Sequence, residues 1–175
     1  KLSWKKQSNA SYYEVYQYNY DTQKYALLST VTGGKNNSLN VTGLTANTKY
    51  RFKVQAYKKS KDGALLKSAR SDGATFYTSP AAPTLKSATS AKTKRITAKW
   101  TKSTAASGYQ VMWSTTSKFT SNYKSVYVSG ASSLTKTVTT AQSGKKYYVR
   151  VRAYKTRNGK KVYSPWSKTL SVKTK

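Results

Sequence analysis

From Lys49 to Tyr57 the side chains alternate without a break. Tyr50, Phe52, Val54 and Ala56 fall on one side, and Lys49, Arg51, Lys53 and Gln55 on the other. A period of two over such a stretch predicts a half-buried β-strand. The same pattern returns near the end of the chain, where Tyr147, Val149, Val151 and Ala153 alternate with Lys146, Tyr148, Arg150 and Arg152. Tyr13 and Val15 share a face, as do Tyr109, Val111 and Trp113. Turn residues separate the runs: Thr32-Gly33-Gly34-Lys35, Lys61-Asp62-Gly63, Ser71-Asp72-Gly73, Ser143-Gly144 and Arg157-Asn158-Gly159. Asp62-Gly63 and Asn158-Gly159 stand at matching positions between adjacent runs, where hairpin turns are expected. No segment carries a helical apolar stripe, so the pattern predicts an all-β protein.

The matching runs belong to an internal duplication. Trp4 and Trp100 are 96 positions apart, as are Tyr13-Glu14-Val15 and Tyr109-Gln110-Val111, and residues 68–71 and 164–167. The Tyr50 and Tyr147 strands are offset by 97. A repeat of that length is a whole domain, so two domains are expected, over residues 1–79 and 80–175. Thr78-Ser79-Pro80-Ala81-Ala82-Pro83 joins them as a short, stiff, extended linker.

An early Trp, a Tyr-x-Val strand and a late Tyr-x-x-Val-x-Ala-Tyr strand, in that order and in both repeats, resemble the fibronectin type III family. The run Leu44-Thr45-Ala46-Asn47-Thr48-Lys49-Tyr50 is similar to the family's tyrosine corner, in which the phenol bonds to nearby backbone. Tyr147 matches Tyr50, with Ala141 standing where Leu44 stands in the first repeat. The resemblance implies two immunoglobulin-like, seven-strand sandwiches in tandem, with Trp4 and Trp100 as core anchors. Residues 83–90 are similar to the family's first strand. Trp4 is only the fourth residue, so the first sandwich is read as lacking that strand, or as taking it from upstream, with an exposed edge there.

Composition narrows the function. The chain has no His and no Cys, which excludes disulfides and thiolate metal sites. Its only carboxylate side chains are Glu14, Asp21, Asp62 and Asp72. Asp62 and Asp72 precede glycines in turns, and Glu14 and Asp21 read as solvated positions on or near one strand. That inventory supplies no general base for catalysis and no oxygen cage for a divalent ion, so neither enzyme activity nor a cofactor is expected. No apolar run is long enough to span a membrane as a helix. No signal peptide is visible at Lys1-Leu2-Ser3-Trp4, and the chain reads as a mature fragment. Cysteine-free sandwiches lean towards a bacterial source.

The formal charge is +29, with 33 Lys and Arg against the four acids, all of which lie before residue 73. Such an imbalance exceeds what solubility requires and points to polyanionic partners. Side chains expected to face outward include Tyr16, Tyr18, Arg51 and Lys53 in the first domain. In the second they are Gln110, Met112, Tyr148, Arg150 and Arg152. Tyr and Arg on a sheet can stack on sugar rings and pair with sulfate, phosphate or carboxylate.

Three roles are consistent with these features. One is a spacer or adhesive module of a larger cell-surface or secreted protein, monomeric and flanked by other modules of the same chain. Another is a binder of anionic wall polymers such as teichoic acid, or of sulfated and acidic glycans. Nucleic acid fits only as a non-specific partner. A cytokine-receptor-like recogniser is the weakest, since paired cysteines and a full Trp-Ser-x-Trp-Ser run are absent; only Ser164-Pro165-Trp166-Ser167 is similar to part of it. The sequons at Asn9, Asn36 and Asn40 would be used only in a eukaryotic secretory route.

Overall fold

The computed structural model describes residues 1–140 and 142–175, and its regular elements are all strands. They form two units, Lys1–Thr78 and Ser79–Lys175. In the first unit β1 (Leu2–Ser3) pairs with β4 (Ser38–Leu39). The larger sheet runs β3 (Lys24–Thr32), β2 (Tyr12–Asn19), β5 (Lys49–Lys59), and two short strands, β6 (Leu65–Lys67) and β7 (Ala74–Tyr77), pair with β5 in succession. The second unit repeats this plan with one addition. β8 (Leu85–Thr89), β9 (Arg95–Trp100) and β12 (Thr135–Thr139) form one sheet. In the other, β13 (Lys146–Arg157) is flanked by β10 (Gly108–Ser114) on one side and by β14 (Lys160–Tyr163) and β15 (Leu170–Lys173) in succession on the other; β11 (Tyr123–Ser129) completes it beyond β10. All strand pairs are antiparallel. Two sheets joined in this order are the immunoglobulin-like sandwich expected from the alternation. No helix of the described residues is long and apolar enough to cross a membrane.

The extra strand decides how well each core is sealed. In the second unit Ile96, Trp100, Tyr109, Val111, Val149 and Val151 form one buried cluster, which Leu85 of β8 helps to close. In the first unit, among the described residues, β1 pairs with β4 alone. Val54 and Ala56, the counterparts of the fully buried Val151 and Ala153, are only half-buried there, and so is Trp4.

Local bonds fix the corners in both units. Tyr50 Oη accepts from the Thr45 amide at 2.9 Å, and Tyr147 Oη accepts from the Gln142 amide at 3.3 Å. Both tyrosine corners are thus made; Ala141 itself lies outside the described residues. The buried pair Tyr13 and Tyr109 does equivalent work. Each ring meets its tryptophan, Trp4 or Trp100, with centroids 5.4 Å apart. Each hydroxyl accepts from an upstream amide and donates to a downstream carbonyl.

The two glycine turns differ. Asn158 and Gly159 both take positive φ, 47° and 74°, and join Arg157 directly to its partner Lys160. That is the two-residue hairpin expected of Asn-Gly. At the equivalent point Lys59 pairs with Leu65, leaving five residues in the loop instead of two. The Ser60 amide and hydroxyl both bond to the Ala64 carbonyl, so Ser60 closes a wider loop before Asp62-Gly63 is reached.

Candidate functional site

The outward side of each large sheet is where cations and aromatic rings meet. In the first unit Tyr16 pairs with Lys53 across β2 and β5. A bulge between Val15 and Tyr16 disturbs the register with β3. Arg51 lies 5.9 Å from the centroid of Tyr18 and 6.0 Å from that of Tyr25, and Lys53 lies 5.1 Å from that of Tyr25. Tyr18 meets Tyr20 and Tyr25 edge-on. The expected outward set of Tyr16, Tyr18, Arg51 and Lys53 is therefore on one face, although Tyr16 is only 8% exposed. Its ring is covered by the Arg70 guanidinium at 3.9 Å, and its hydroxyl donates to Glu14. Glu14 is accordingly not a freely solvated side chain. The Tyr16 hydroxyl first, then that of Tyr57 and the charge of Arg70, hold its carboxyl below the usual glutamate range. The same cluster pushes the Tyr57 phenol well above its ordinary value.

In the second unit register sets Met112 opposite Arg150 and Gln110 opposite Arg152. Both outward residues of β10 are nonetheless buried, because the arginines lie over them. Arg152 Nε donates to Gln110 Oε1 at 2.9 Å, and Arg150 Nη2 lies 3.2 Å from Met112 Sδ. The Arg150 guanidinium sits 4.0 Å from the Phe119 centroid and 4.3 Å from that of Trp166. Arg152 sits 3.7 Å from Tyr163 and 4.4 Å from Trp166. The order Phe119, Arg150, Trp166, Arg152, Tyr163 is a continuous stack in which guanidinium faces meet ring faces. Burial, and then the charge of Arg152, lower the pKa of Arg150. Tyr148 stands beside this stack, with Lys146 5.5 Å from its ring.

Trp166 and Arg70 reach these positions through one backbone device used twice. The Ser164 amide bonds to the Ala153 carbonyl, and Ser164 Oγ accepts from the Ala153 amide. Three residues on, Ser167 does the same to Val151. Three steps on one chain against two on β13 is one residue too many for a ladder. The serine hydroxyls replace the missing carbonyls, and the surplus bulges out. In the first unit Ser68 and Ser71 clasp Ala56 and Val54 by the same four bonds. The sequence marks this device only as a repeated Ser-x-x-Ser; Arg70, Trp166, Phe119 and Tyr163 were not among the residues expected to form the surface.

Among the described residues, no group of three or more carboxylate, His or Cys side chains could hold a metal ion. Several shallow clefts open on the surface. One of about 360 Å³ at the end of the second unit is lined by Trp113, Tyr123, Lys124 and Lys145. Others flank Trp4 and Tyr57 in the first.

Residues 1–70 match the model of the fibronectin type III domain. No curated protein matches the sequence. Among solved structures the chain is similar to the FN1-FN3 domains of chicken CNTN1, at 20% identity and a TM-score of 0.46, covering 98% of this chain and 58% of that one. It thus spans a little over half of that three-domain structure. An Fn3-like protein from Clostridium thermocellum is 28% identical, with a TM-score of 0.44, covering 55% of this chain and 94% of that one. A myokine structure is 17% identical, with a TM-score of 0.44 and coverage of 55% and 98%. Fibronectin type III domains are typically extracellular or surface-associated spacer and adhesion modules, and they are generally non-catalytic. Residues 1–70 thus match the fibronectin type III domain, and both units have an all-β, immunoglobulin-like sandwich fold.

Proposed function

We propose that this chain is a non-catalytic spacer and adhesive module of a larger cell-surface or secreted protein, acting outside the cell between neighbouring modules. The observation that carries this reading is the stack on the second unit. Arg150, Arg152 and Trp166 present their faces to one another rather than to a ligand. The side chains best suited to recognition are engaged in stiffening the sheet.

A second reading is favoured by the charge. In residues 81–175 there are 20 cations and no acid, and stacked guanidinium groups still offer N–H edges to an anion. In that reading Tyr16, Tyr18, Arg51, Lys53, Tyr148, Arg150 and Arg152 border the contact with an anionic wall polymer or an acidic glycan.

One titration separates the two. The chain is added to purified Gram-positive wall polymer and to heparin across a salt series. A spacer releases both by about 0.15 M salt, where screening acts within roughly 8 Å. Retention above that salt, lost when exposed lysines such as Lys160 and Lys168 become Glu, establishes a binder. Those lysines are better probes than Arg150 or Arg152, whose replacement also breaks the stack.

A further inference from the structure

The core-facing row of the large sheet in the second unit changes character at one end. On β11, Val126 and Val128 pack against the core, while Lys124, on the same side of the strand, is exposed. Its partner across β10 is Trp113, the last ring of the inward row, 8% exposed. Lys145 stands one step before β13, in line with the inward Tyr147. With Gln142 and the half-exposed Tyr123, these residues line a cleft of about 360 Å³. That volume falls among the smaller ligand pockets, which start at about 300 Å³. Its walls are fastened from behind. The Lys145 amide donates to Thr174 Oγ1 at 3.2 Å, and the Thr174 amide donates to the Lys145 carbonyl at 2.9 Å. Thr174 Oγ1 donates to the Gln142 carbonyl at 2.9 Å. Ser114 Oγ accepts from the Thr116 amide and donates to the Ser121 carbonyl, which fixes the turn ahead of Tyr123.

Two lysines on core-facing positions at one opening need a reason. An inward charge blunts the edge of a strand such as β11. That accounts for Lys124 and not for Lys145, because β13 is paired on both sides. No acidic side chain follows Asp72, so neither ammonium has one to pair with in its own unit. The first unit carries Gln17, Ala26 and Thr48 at the places of Trp113, Lys124 and Lys145, so the indole and both cations are particular to the second. We propose that this cleft binds one sugar ring bearing a carboxylate, with the ring against Trp113 and Tyr123 and the carboxylate between Lys124 and Lys145. Ammonium groups supply charge-assisted bonds to the carboxylate. Thr115, Asn122 and Gln142, also in the lining, supply hydroxyl and amide partners for sugar hydroxyls. An open-chain polyol phosphate would leave the aromatic walls unused. The proposal rests on the second reading above for its class of ligand, and it moves the contact from the sheet faces to this cleft.

The test follows the indole N–H resonances of the four tryptophans in the whole chain while glucuronate is added. The Trp113 resonance is expected to move and saturate with a Kd of about 1–10 mM, while those of Trp4, Trp100 and Trp166 stay in place. Glucose, without the carboxylate, binds about tenfold more weakly. Lys124→Gln and Lys145→Gln, both at exposed positions, each weaken glucuronate severalfold and leave the melting temperature unchanged. A glucuronate-containing tetrasaccharide that binds more tightly than the single sugar identifies a polymer as the source; equal affinity identifies a free sugar acid. Three results overturn the proposal. One is movement of Trp166 with Trp113 unmoved, which leaves the sheet-face reading standing. Another is no shift at Trp113 up to about 50 mM glucuronate. The third is an equal response at Trp113 to glucose or to inorganic sulfate, meaning that the carboxylate or the ring plays no part.

Discussion

Residues 68–71 and 164–167 clasp their neighbouring strands by the same four bonds and present different caps. In the second unit the bulge offers Trp166, an aromatic plate that separates two guanidinium groups from β13. In the first it offers Arg70, a cation that lies on the ring of Tyr16 from β2. The partners have exchanged roles: ring on cation in one unit, cation on ring in the other. The attraction is symmetric in that respect, so the backbone device accepts either. The caps differ in reach. Trp166 ties four other side chains into one stack, whereas Arg70 covers a single ring and relies on Glu14 and Gln55 for the rest of its setting.

Breaking the core should separate the units most. Trp100→Ala is expected to cost the second unit about 4 kcal/mol, and Trp4→Ala about half of that in the first unit, where the ring is only half-buried. Amide exchange measured separately at Val151 and Val54 gives the two values; equal costs would mean that the open mouth of the first unit does not weaken its core. The caps come next. Trp166→Ala should cost about 2 kcal/mol and Arg70→Ala about 1 kcal/mol, since the tryptophan loses two cation contacts and the arginine one. Denaturant melts check this, and Arg70→Trp sharpens it, because an aromatic plate there has no paired guanidinium groups to separate. Smaller again is the turn. Gly159→Ala, at a φ of 74°, should cost the β13–β14 hairpin about 1 kcal/mol, seen as faster exchange at Tyr154 and Lys155. The least is the effect of acid. Glu14 has a depressed pKa in the folded state, so its contribution is complete above the ordinary glutamate range and is lost as pH falls through the folded value. Glu14→Gln should therefore flatten the melting temperature of the first unit between about pH 5 and pH 3. The second unit, without a carboxylate side chain, should show no such slope in either protein.

The sandwich itself was legible because alternation at Tyr50 to Ala56 and at Tyr147 to Ala153 reports burial directly. A second copy of each landmark at nearly one spacing removed coincidence. The surfaces were less so. Alternation placed Tyr16, Gln110 and Met112 outward, which is where they point, but an outward residue is exposed only if nothing crosses over it. What crosses is Arg70, Arg150 and Arg152. Their placement depends on cross-strand register and on a one-residue surplus between paired serines. Neither is written in hydropathy. Ser60 likewise turned an expected two-residue turn into a five-residue loop by a hydroxyl bond that propensity does not encode.

β3 leaves the first unit with a nine-residue strand whose outer edge is unpaired, and with Leu27 and Leu28 beside it exposed to water. Such an edge is a template on which a second chain can build. Proteins usually blunt it with a proline or an inward charge, and β3 contains neither a proline nor an acid. What remains to keep copies apart is like charge, 33 cations on every molecule. That insulation works at a distance and is weakened by dissolved ions. The surplus of lysine thus has a use that needs no ligand: it holds adhesive edges out of reach of one another. Light scattering in rising salt should then record growing particles rather than the usual gain in solubility, with the edge of β3 as the seam.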